Sequence, residues 1–519
     1  MAKYDHLNHE PRSDDGRGLA GVAIRGTVWA TGQLFLNKIA TVVAILAIAK
    51  YLSTSEFGVA ALALSISKFL SILPPLNMGD VLIARGAVTV DVLVSARRTV
   101  VAIGVAIALL GIAASIPAAW FFHEYPKELL IPLVCVACLR PVGEAMQVSA
   151  LTQLRMQFRN KAISVTDGSV QLAGTVLSVF LAWYGAGAWA LVGATTMVAF
   201  GKAIFYQLAV LRSSGISPFT GVRSEVHVRH EFLAAAGGQY LHSVVDSLPF
   251  LMLGWLSTAS DTGLYAFAVS LSGQANVLMA TQVSSVLQPV LGRLGHDADR
   301  QSKAYVRAMS TLSAIAVPVC LTQAIFSGVI FAIFFDERWS AAVPIFAALS
   351  ILESFFFAAA PTMAMLKAQG KFRTFLLWQG CHLVVSAGIL LLAVMWWGAL
   401  GVAVVGAVLW SVSLPLVVWL SIRHAGFGPV ASIRIFVAPW MTAIPIGVIA
   451  WSAIAPLSSL GQGGRLAALF LLAPVTLVAM LLATRWSQPA VYREVTGLTS
   501  RIAGRLPLVK RFVTTRNVL

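Results

Sequence analysis

YLSTSEFGVAALALSIS (Tyr51 to Ser67) and WLSTASDTGLYAFAVSLS (Trp255 to Ser272) are one passage written twice, with a single residue inserted in the second copy. The echo continues outward. FHEYPKELLIPLV from Phe122 answers FDERWSAAVPIFA from Phe335, QFRNKAIS from Gln157 answers KFRTFLLW from Lys371, and YGAGAWALVGA from Tyr184 answers WGALGVAVVGA from Trp397. The separations stay between 204 and 214 residues, and a period held across four blocks marks an internal duplication.

Composition says what kind of chain has been duplicated. Of 519 residues, 58% are hydrophobic and only 11% charged, with a mean hydropathy of +0.82. Soluble domains carry about 25% charged residues, so an ordinary cytosolic enzyme is excluded. Four cysteines are too few for a disulfide framework in a chain of this length. Apolar stretches of the roughly 20 residues needed to cross hydrocarbon recur fourteen times, near 27–49, 57–83, 99–120, 129–153, 163–183, 187–210, 232–255, 262–291, 306–334, 341–366, 374–396, 398–422, 435–455 and 466–484. Residues 1–26 are polar and lack the apolar core of a signal peptide.

The net charge of +16 invites a nucleic-acid reading until the charges are located. Assigned to alternate gaps, 29 of the 37 Lys and Arg residues fall on one side, and only Lys50, Lys127, Arg338 and Arg465 on the other. By the positive-inside rule the rich side is cytoplasmic, the span count is even and both termini lie inside. The excess therefore faces the anionic cytoplasmic leaflet, and no nucleic-acid partner is expected.

The expected fold is an all-α polytopic membrane protein: about 14 transmembrane helices as two six-helix repeats of the same orientation, plus two C-terminal helices. The segments are a cytoplasmic N-terminal stretch (1–26), a first half (27–211), a cytoplasmic linker (212–231), a second half (232–422), helices 13–14 (435–484) and a basic cytoplasmic tail (485–519). Two halves facing one another are an architecture for alternating access.

LSTSEFGVAALALSIS followed by NMGDVLIAR resembles the second helix of oligosaccharide flippases in the multidrug/oligosaccharidyl-lipid/polysaccharide (MOP) exporter superfamily. ALTQLRMQFRNKAI, after the fourth span, resembles the cytoplasmic loop of the polysaccharide-exporter branch. The resemblance covers roughly residues 20–425. It implies a Wzx-type flippase of the bacterial inner membrane, moving undecaprenyl-diphosphate-linked oligosaccharides outward for exopolysaccharide, capsule or O-antigen synthesis. Polysaccharide polymerase and glycosyltransferases would be its partners, and the chain would be no enzyme.

Such a transporter needs a wet cavity lined by donors and cations for the sugar and diphosphate, open sideways for the lipid tail. Ionisable residues inside spans are the candidates, since each costs about 2.5–3.5 kcal/mol to insert. In span 1, Gln33, Asn37 and Thr41 form a polar stripe bordered by Lys38; in span 2, Ser65, Lys68 and Ser71 form another. The resemblance implies that Lys38 and Lys68 line the cavity and meet the diphosphate; the alternative is that each pairs with an acid on a neighbouring helix. In span 7, Gln239, His242 and Asp246 share a face, and the repeat superposes His242 on Lys38. His242 and Asp246 form either a protonatable coupling site or a structural hydrogen bond. Arg140 and Glu144 are spaced for mutual neutralisation, and the repeat maps Arg140 onto Glu353, so the two are candidates to meet in one state of a cycle. Gln274 leads a polar face of span 8 with Thr281, Ser285 and Gln288. Asp167 and Lys202 are near enough to helix ends to snorkel.

Three patterns carry no chemistry. Cys135 and Cys138 spell C-x-x-C inside an apolar span, as packing residues. Gly185, Gly187 and Ala190 imitate a dinucleotide fingerprint with no strand before them. No P-loop, HExxH or nucleophile elbow is present, so no cofactor and no metal is expected. The competing functions are a peptidoglycan lipid-precursor flippase, a multidrug antiporter of the same superfamily and, from another class, a membrane polysaccharide polymerase or glycosyltransferase. Cationic drugs suit an acidic cavity better than Lys38 and Lys68, and external gaps of about ten residues or fewer leave little room for an active site.

Overall fold

The computed structural model describes residues 16–71, 90–157, 159–214, 230–274, 297–459 and 461–489, with single residues at 287, 291, 294 and 493. Among these there is helix and turn but no strand. The first copy of the repeat forms α1 (Gly16–Tyr51), α2 (Thr54–Leu70), α3 (Val90–Phe121), α4 (Lys127–Ala137), α5 (Arg140–Met156), α6 (Asn160–Trp183) and α7 (Trp189–Ser214). The second forms α8 (His230–Leu256), α9 (Ala259–Ser272), α10 (Ala298–Ile325), α11 (Ser327–Phe334), α12 (Ala342–Ala359), α13 (Thr362–Ala368) and α14 (Phe372–Ile422). Then come α15 (Pro429–Ser458), α16 (Gly461–Ala467) and α17 (Ala473–Ser487).

Nine described helical stretches are long and apolar enough to cross a membrane. One of them, residues 373–425, is two arms: Gly398, at φ 56° and ψ −139°, breaks the ladder of α14 where the repeat places a glycine turn. Two apolar runs are interrupted by proline. The fourth splits at Cys138–Leu139, just before Pro141, and the tenth between Ala359 and Thr362, around Pro361, because proline brings no N–H to the helical ladder. The helix expected over 57–83 ends at Leu70, and residues 72–89, with Pro74, Pro75 and NMGDVLIAR, lie outside the described residues, as do Thr281, Ser285 and Gln288.

The duplicated passage builds the junction between the halves. Ser53 caps α2 in a reciprocal box with Glu56, and Thr258 caps α9 by accepting from Asp261 N. These two matched helices cross backbone to backbone at Gly58 and Gly263. A Cβ on Gly58 would stand 2.9 Å from Gly263 N and collide outright with the Ala259 carbonyl oxygen; one on Gly263 would meet Gly58 N and the Thr54 carbonyl in the same way. The Thr54 and Ser260 hydroxyls hydrogen-bond at 2.8 Å beside the crossing.

Each half also reaches into the other at this end. Tyr125, in the α3–α4 turn, donates to Thr262 Oγ1 on α9 at 2.7 Å. In the second copy Arg338, at the position matching Tyr125, donates to the Ala49 and Lys50 carbonyls, and Trp339, one residue on, donates to the Ala49 carbonyl at 3.0 Å. These carbonyls belong to the last turn of α1, which has no helical donor of its own. Trp339 is completely buried against Phe57 and Phe267, whose ring centroid is 4.0 Å away. At the far edge, α15 and α17 pack on α10 through Val317, Ala443 and Met480, outside the repeat.

Candidate functional site

Below the crossing, the polar side chains of four helices meet at one depth. Counting at ~1.5 Å per residue from the end that holds Ser53 and Ser257, Asp246 stands ~15 Å down and Lys38, Lys68 and His242 ~20 Å down, about the middle of a ~30 Å hydrocarbon layer.

Two contacts join the halves at this level. Lys68 Nζ on α2 is 3.1 Å from Asp246 Oδ2 on α8. Lys38 Nζ on α1 donates to Gln274 Oε1, just beyond α9, at 3.2 Å. The repeat relates the two: α1 corresponds to α8, and Lys68 falls within one residue of the position matching Gln274. Lys68 therefore follows the acid-pairing alternative, and Lys38 a third course, a neutral acceptor from the other half. The Lys68 and Asp246 side chains keep 47% and 36% of their surface accessible, so the pair borders open space between the helices.

Asp246 has a second basic neighbour. His242 Nε2 lies 3.8 Å from the same carboxylate oxygen, too long for a hydrogen bond but within ion-pair reach. Gln379 Nε2 of α14 stands 2.8 Å from His242 Nδ1. An amide N–H there needs Nδ1 as acceptor, which places the ring proton on Nε2, facing Asp246.

Behind this pair lies a group that the sequence reading passed over. Gln379, His382 and Ser386 recur at i, i+3 and i+7 on α14, and all three are buried. Among the described residues, Gln379 Oε1, His382 Nε2 and Ser386 Oγ meet no hydrogen-bond partner. Buried polar atoms without protein partners mark room for water or an ion. The His382 ring lies 4.0 Å, centroid to centroid, from Trp410. The signal was present as a polar stripe in QGCHLVVS, Gln379 to Ser386.

Other expected residues fall away from this level or apart from one another. Gln33 packs on Gly168 of α6, so that part of the span 1 stripe turns into the first half, and the Thr41 hydroxyl donates to the main-chain carbonyl of Asn37 in its own helix. Ser71 likewise donates to Ser67 O. Arg140 Nε donates to Glu144 Oε1 at 2.8 Å within α5. Glu353 on α12 instead faces Gly273, where an added Cβ would stand 3.5 Å from its Oε1. Arg140 and Glu353 are thus not brought together. The carboxylate of Glu353 stands one residue along from Gln274, the partner of Lys38. Asp167 and Lys202, set aside above as near enough to helix ends to snorkel, face each other at 3.2 Å between α6 and α7. Cys138 packs against Gly111. No group of three potential metal ligands occurs among the described residues.

Comparison with known proteins adds a family. Residues 47–344 match the family model described as polysaccharide biosynthesis protein. The succinoglycan biosynthesis transport protein ExoT of Rhizobium meliloti (strain 1021) is 22% identical over 364 residues, 70% of this chain and 72% of that one. Among solved structures, the lipid II flippase MurJ in an inward closed conformation superposes with a TM-score of 0.67 at 14% identity, covering 90% of this chain and all of that one. An inward-facing multidrug resistance MATE family transporter of the MOP superfamily reaches 0.55 at 14% identity, over 75% and 94% of the two chains. At such identities these likenesses are of fold.

Proposed function

Because the chain belongs to the polysaccharide biosynthesis protein family and is a multi-pass membrane protein with the fold of MOP-superfamily transporters, we propose that it is an inner-membrane flippase. Its cargo is a surface-polysaccharide repeat unit linked to undecaprenyl diphosphate, carried from the cytoplasmic to the periplasmic face. The observation that carries this reading is the pair of cations at mid-depth, Lys38 and Lys68, each held by a residue of the opposite half. A diphosphate entering between the halves competes for both ammonium groups with Gln274 and Asp246, so binding loosens the contacts that hold the halves together.

In this reading the chain crosses the membrane fourteen times with both termini cytoplasmic, as the basic residues require. The end closed by Gly58 and Gly263 is then periplasmic, and the conformation is the one that receives cargo from inside. Opening that crossing while the cytoplasmic side closes completes the exchange. With about two negative charges on the diphosphate and the cell interior negative, outward movement gains ~2.3 kcal/mol per charge per 100 mV. The energetic demand falls on the return of the empty protein. Asp246, His242 and the buried group on α14 are placed to couple that step to a cation or proton gradient, because loading Asp246 releases Lys68. The relatives' names support the lipid-linked substrate: one transports for succinoglycan synthesis and one flips lipid II.

Deletion followed by extraction of lipid-linked oligosaccharides tests the proposal. Accumulation of unpolymerised, inward-facing repeat units in viable cells supports it. Unchanged surface polymer sinks it, and loss of viability points to a peptidoglycan precursor as cargo. For coupling, Asp246→Asn that flips normally and keeps its dependence on the imposed proton or sodium gradient removes Asp246 from that role.

A further inference from the structure

Residues 354–493 contain no aspartate or glutamate, yet two cations and a histidine of this stretch are drawn together at one end of α14. The two arms of α14 fold back on each other at Gly398 and are joined by the Trp378 indole, which donates to Ser413 Oγ at 2.9 Å. Lys371, just before the first arm, donates from Nζ to Nδ1 of His424, just after the second, at 3.2 Å. Its other two N–H bonds, and the guanidinium of Arg423, meet no acceptor among the described residues. The acids of α10, which packs on the turn at Arg423, are engaged elsewhere: Asp297 accepts from Arg300 N, and Asp299 pairs with Lys303. Burial, and then the charge of Arg423, push the Lys371 ammonium below its ordinary pKa. Cations gathered without a counter-charge oppose folding. Arg423 also ends a stripe that faces the lipid. Val404, Val408, Val412 and Leu416 are exposed along the second arm, and Arg423, still helical at φ −58° and ψ −30°, continues their face two turns beyond Leu416. Val408 to Leu416 spans ~12 Å at helical rise, close to the ~15 Å of hydrocarbon in one leaflet.

We propose that Lys371, Arg423 and His424 form a headgroup site for an anionic glycerophospholipid, its phosphate held between the ammonium and the guanidinium and one acyl chain lying along Val408, Val412 and Leu416. Three features identify the occupant. A phosphate ester offers acceptor oxygens to both unpartnered cations at once. The apolar stripe that leads to Arg423 selects a lipid over a free anion, because a free anion gains nothing from it. The lack of any carboxylate nearby selects a lipid of net negative charge over a zwitterion, whose ammonium would find no partner among three basic groups. Bound there, the lipid ties the two arms of α14 together at the end opposite Gly398 and supplies the counter-charge that the protein does not. The inference is independent of the cargo, since it concerns a resident lipid and not a transported one.

The test uses the full chain with a benzophenone amino acid at Leu416, in nanodiscs of phosphatidylglycerol and phosphatidylcholine with the same acyl chains. After illumination, mass spectrometry of the labelled peptide identifies the adducts. The expected result is phosphatidylglycerol adducts roughly fivefold above the ratio in the disc, falling to that ratio in Lys371→Gln with Arg423→Gln. Arg423→Gln alone, at an exposed position, gives the same reading if the pair does not fold. Adducts in simple proportion to composition overturn the proposal, as does enrichment that survives these substitutions. An equal loss in Arg212→Gln with Arg485→Gln, which removes as much charge elsewhere, overturns it too, because the attraction is then that of the whole surface. Millimolar inorganic phosphate that protects the parent, but not the double variant, against thermal unfolding in phosphatidylcholine discs, with no lipid enrichment, assigns the site to a free anion and likewise overturns it. The measurement needs no transport, so its failure leaves the flippase reading standing.

Discussion

Gly58→Ala tests the crossing between the halves. Glycine at this position is required by space alone: the backbone is ordinary α-helix, and the added methyl would overlap the Ala259 carbonyl and approach Gly263 N to 2.9 Å. Both obstacles are backbone atoms, so no side chain can rotate away, and the helices must separate. Overpacking of a tight contact costs ~1–3 kcal/mol. Alanine also favours helix over glycine by up to ~1 kcal/mol, but α2 is helical whether the crossing is packed or apart, so that gain cancels. The equilibrium therefore shifts away from the packed state by roughly 5- to 150-fold. Thr54→Cys with Ser260→Cys, whose hydroxyls are 2.8 Å apart, reports the packed state by disulfide formation, in a background where the exposed Cys381 is replaced by serine. A cysteine at Thr262, fully buried in the packed state, reports the separated state through labelling by an impermeant maleimide. Gly58→Ala should slow the cross-link and expose position 262. Gly193→Ala, with nothing within 4 Å of its added carbon, should change neither. A Gly58→Ala protein that is monodisperse, cross-links at the parental rate and stays protected at 262 would refute the reasoning.

Further outcomes follow from the same geometry. Trp339→Ala removes a completely buried indole and one of the two donors to the Ala49 carbonyl; thermal unfolding should show a loss of ~3–5 kcal/mol. Exchanging the ion pair as Lys68→Asp with Asp246→Lys should restore surface expression lost in either single variant, read by quantitative blotting, yet leave flipping impaired, because His242 then faces an ammonium. Lys38→Ala should lower export of lipid-linked oligosaccharide by about tenfold, equivalent to ~1.4 kcal/mol, and Lys38→Arg should retain most of it. Gln379→Leu, which removes the partner of His242 Nδ1, should slow flipping in the same export assay without lowering the amount of protein in the membrane.

What the sequence made legible follows from the bilayer. A long apolar helix is the inexpensive way to bury backbone in hydrocarbon, so apolar runs announce helices, and the repeat announces which helices correspond. The glycine turn at Gly398 and the matched pair α2 and α9 were visible in this way. Partners across helices were harder to see, because a side chain's neighbour on another element leaves no trace in local spacing. Lys38 reads as a stripe residue but binds Gln274, 236 positions away, and Gln33 reads as part of that stripe yet turns toward Gly168. The pairing of Arg140 with Glu144 was readable because it is local; that of Lys68 with Asp246 was not. His382 and Gln379 were overlooked because their stripe is surrounded by apolar residues and contains no carboxylate.

The reciprocal grip of Tyr125 on Thr262 and of Trp339 on Ala49 has a meaning for ancestry as well as for mechanics. Each aromatic gives its hydrogen bond to the neighbouring half while its ring also packs within its own, and such exchanged bonds are the pattern left by a homodimer whose identical subunits once exchanged arms about a two-fold axis. Joining the subunits in one chain freed the arms to diverge into a tyrosine and a tryptophan, and freed one flank to keep an ion pair while the other settled for an amide. A chain divided between residues 214 and 230 and expressed as two pieces should therefore find itself again, as a heterodimer of unlike twins.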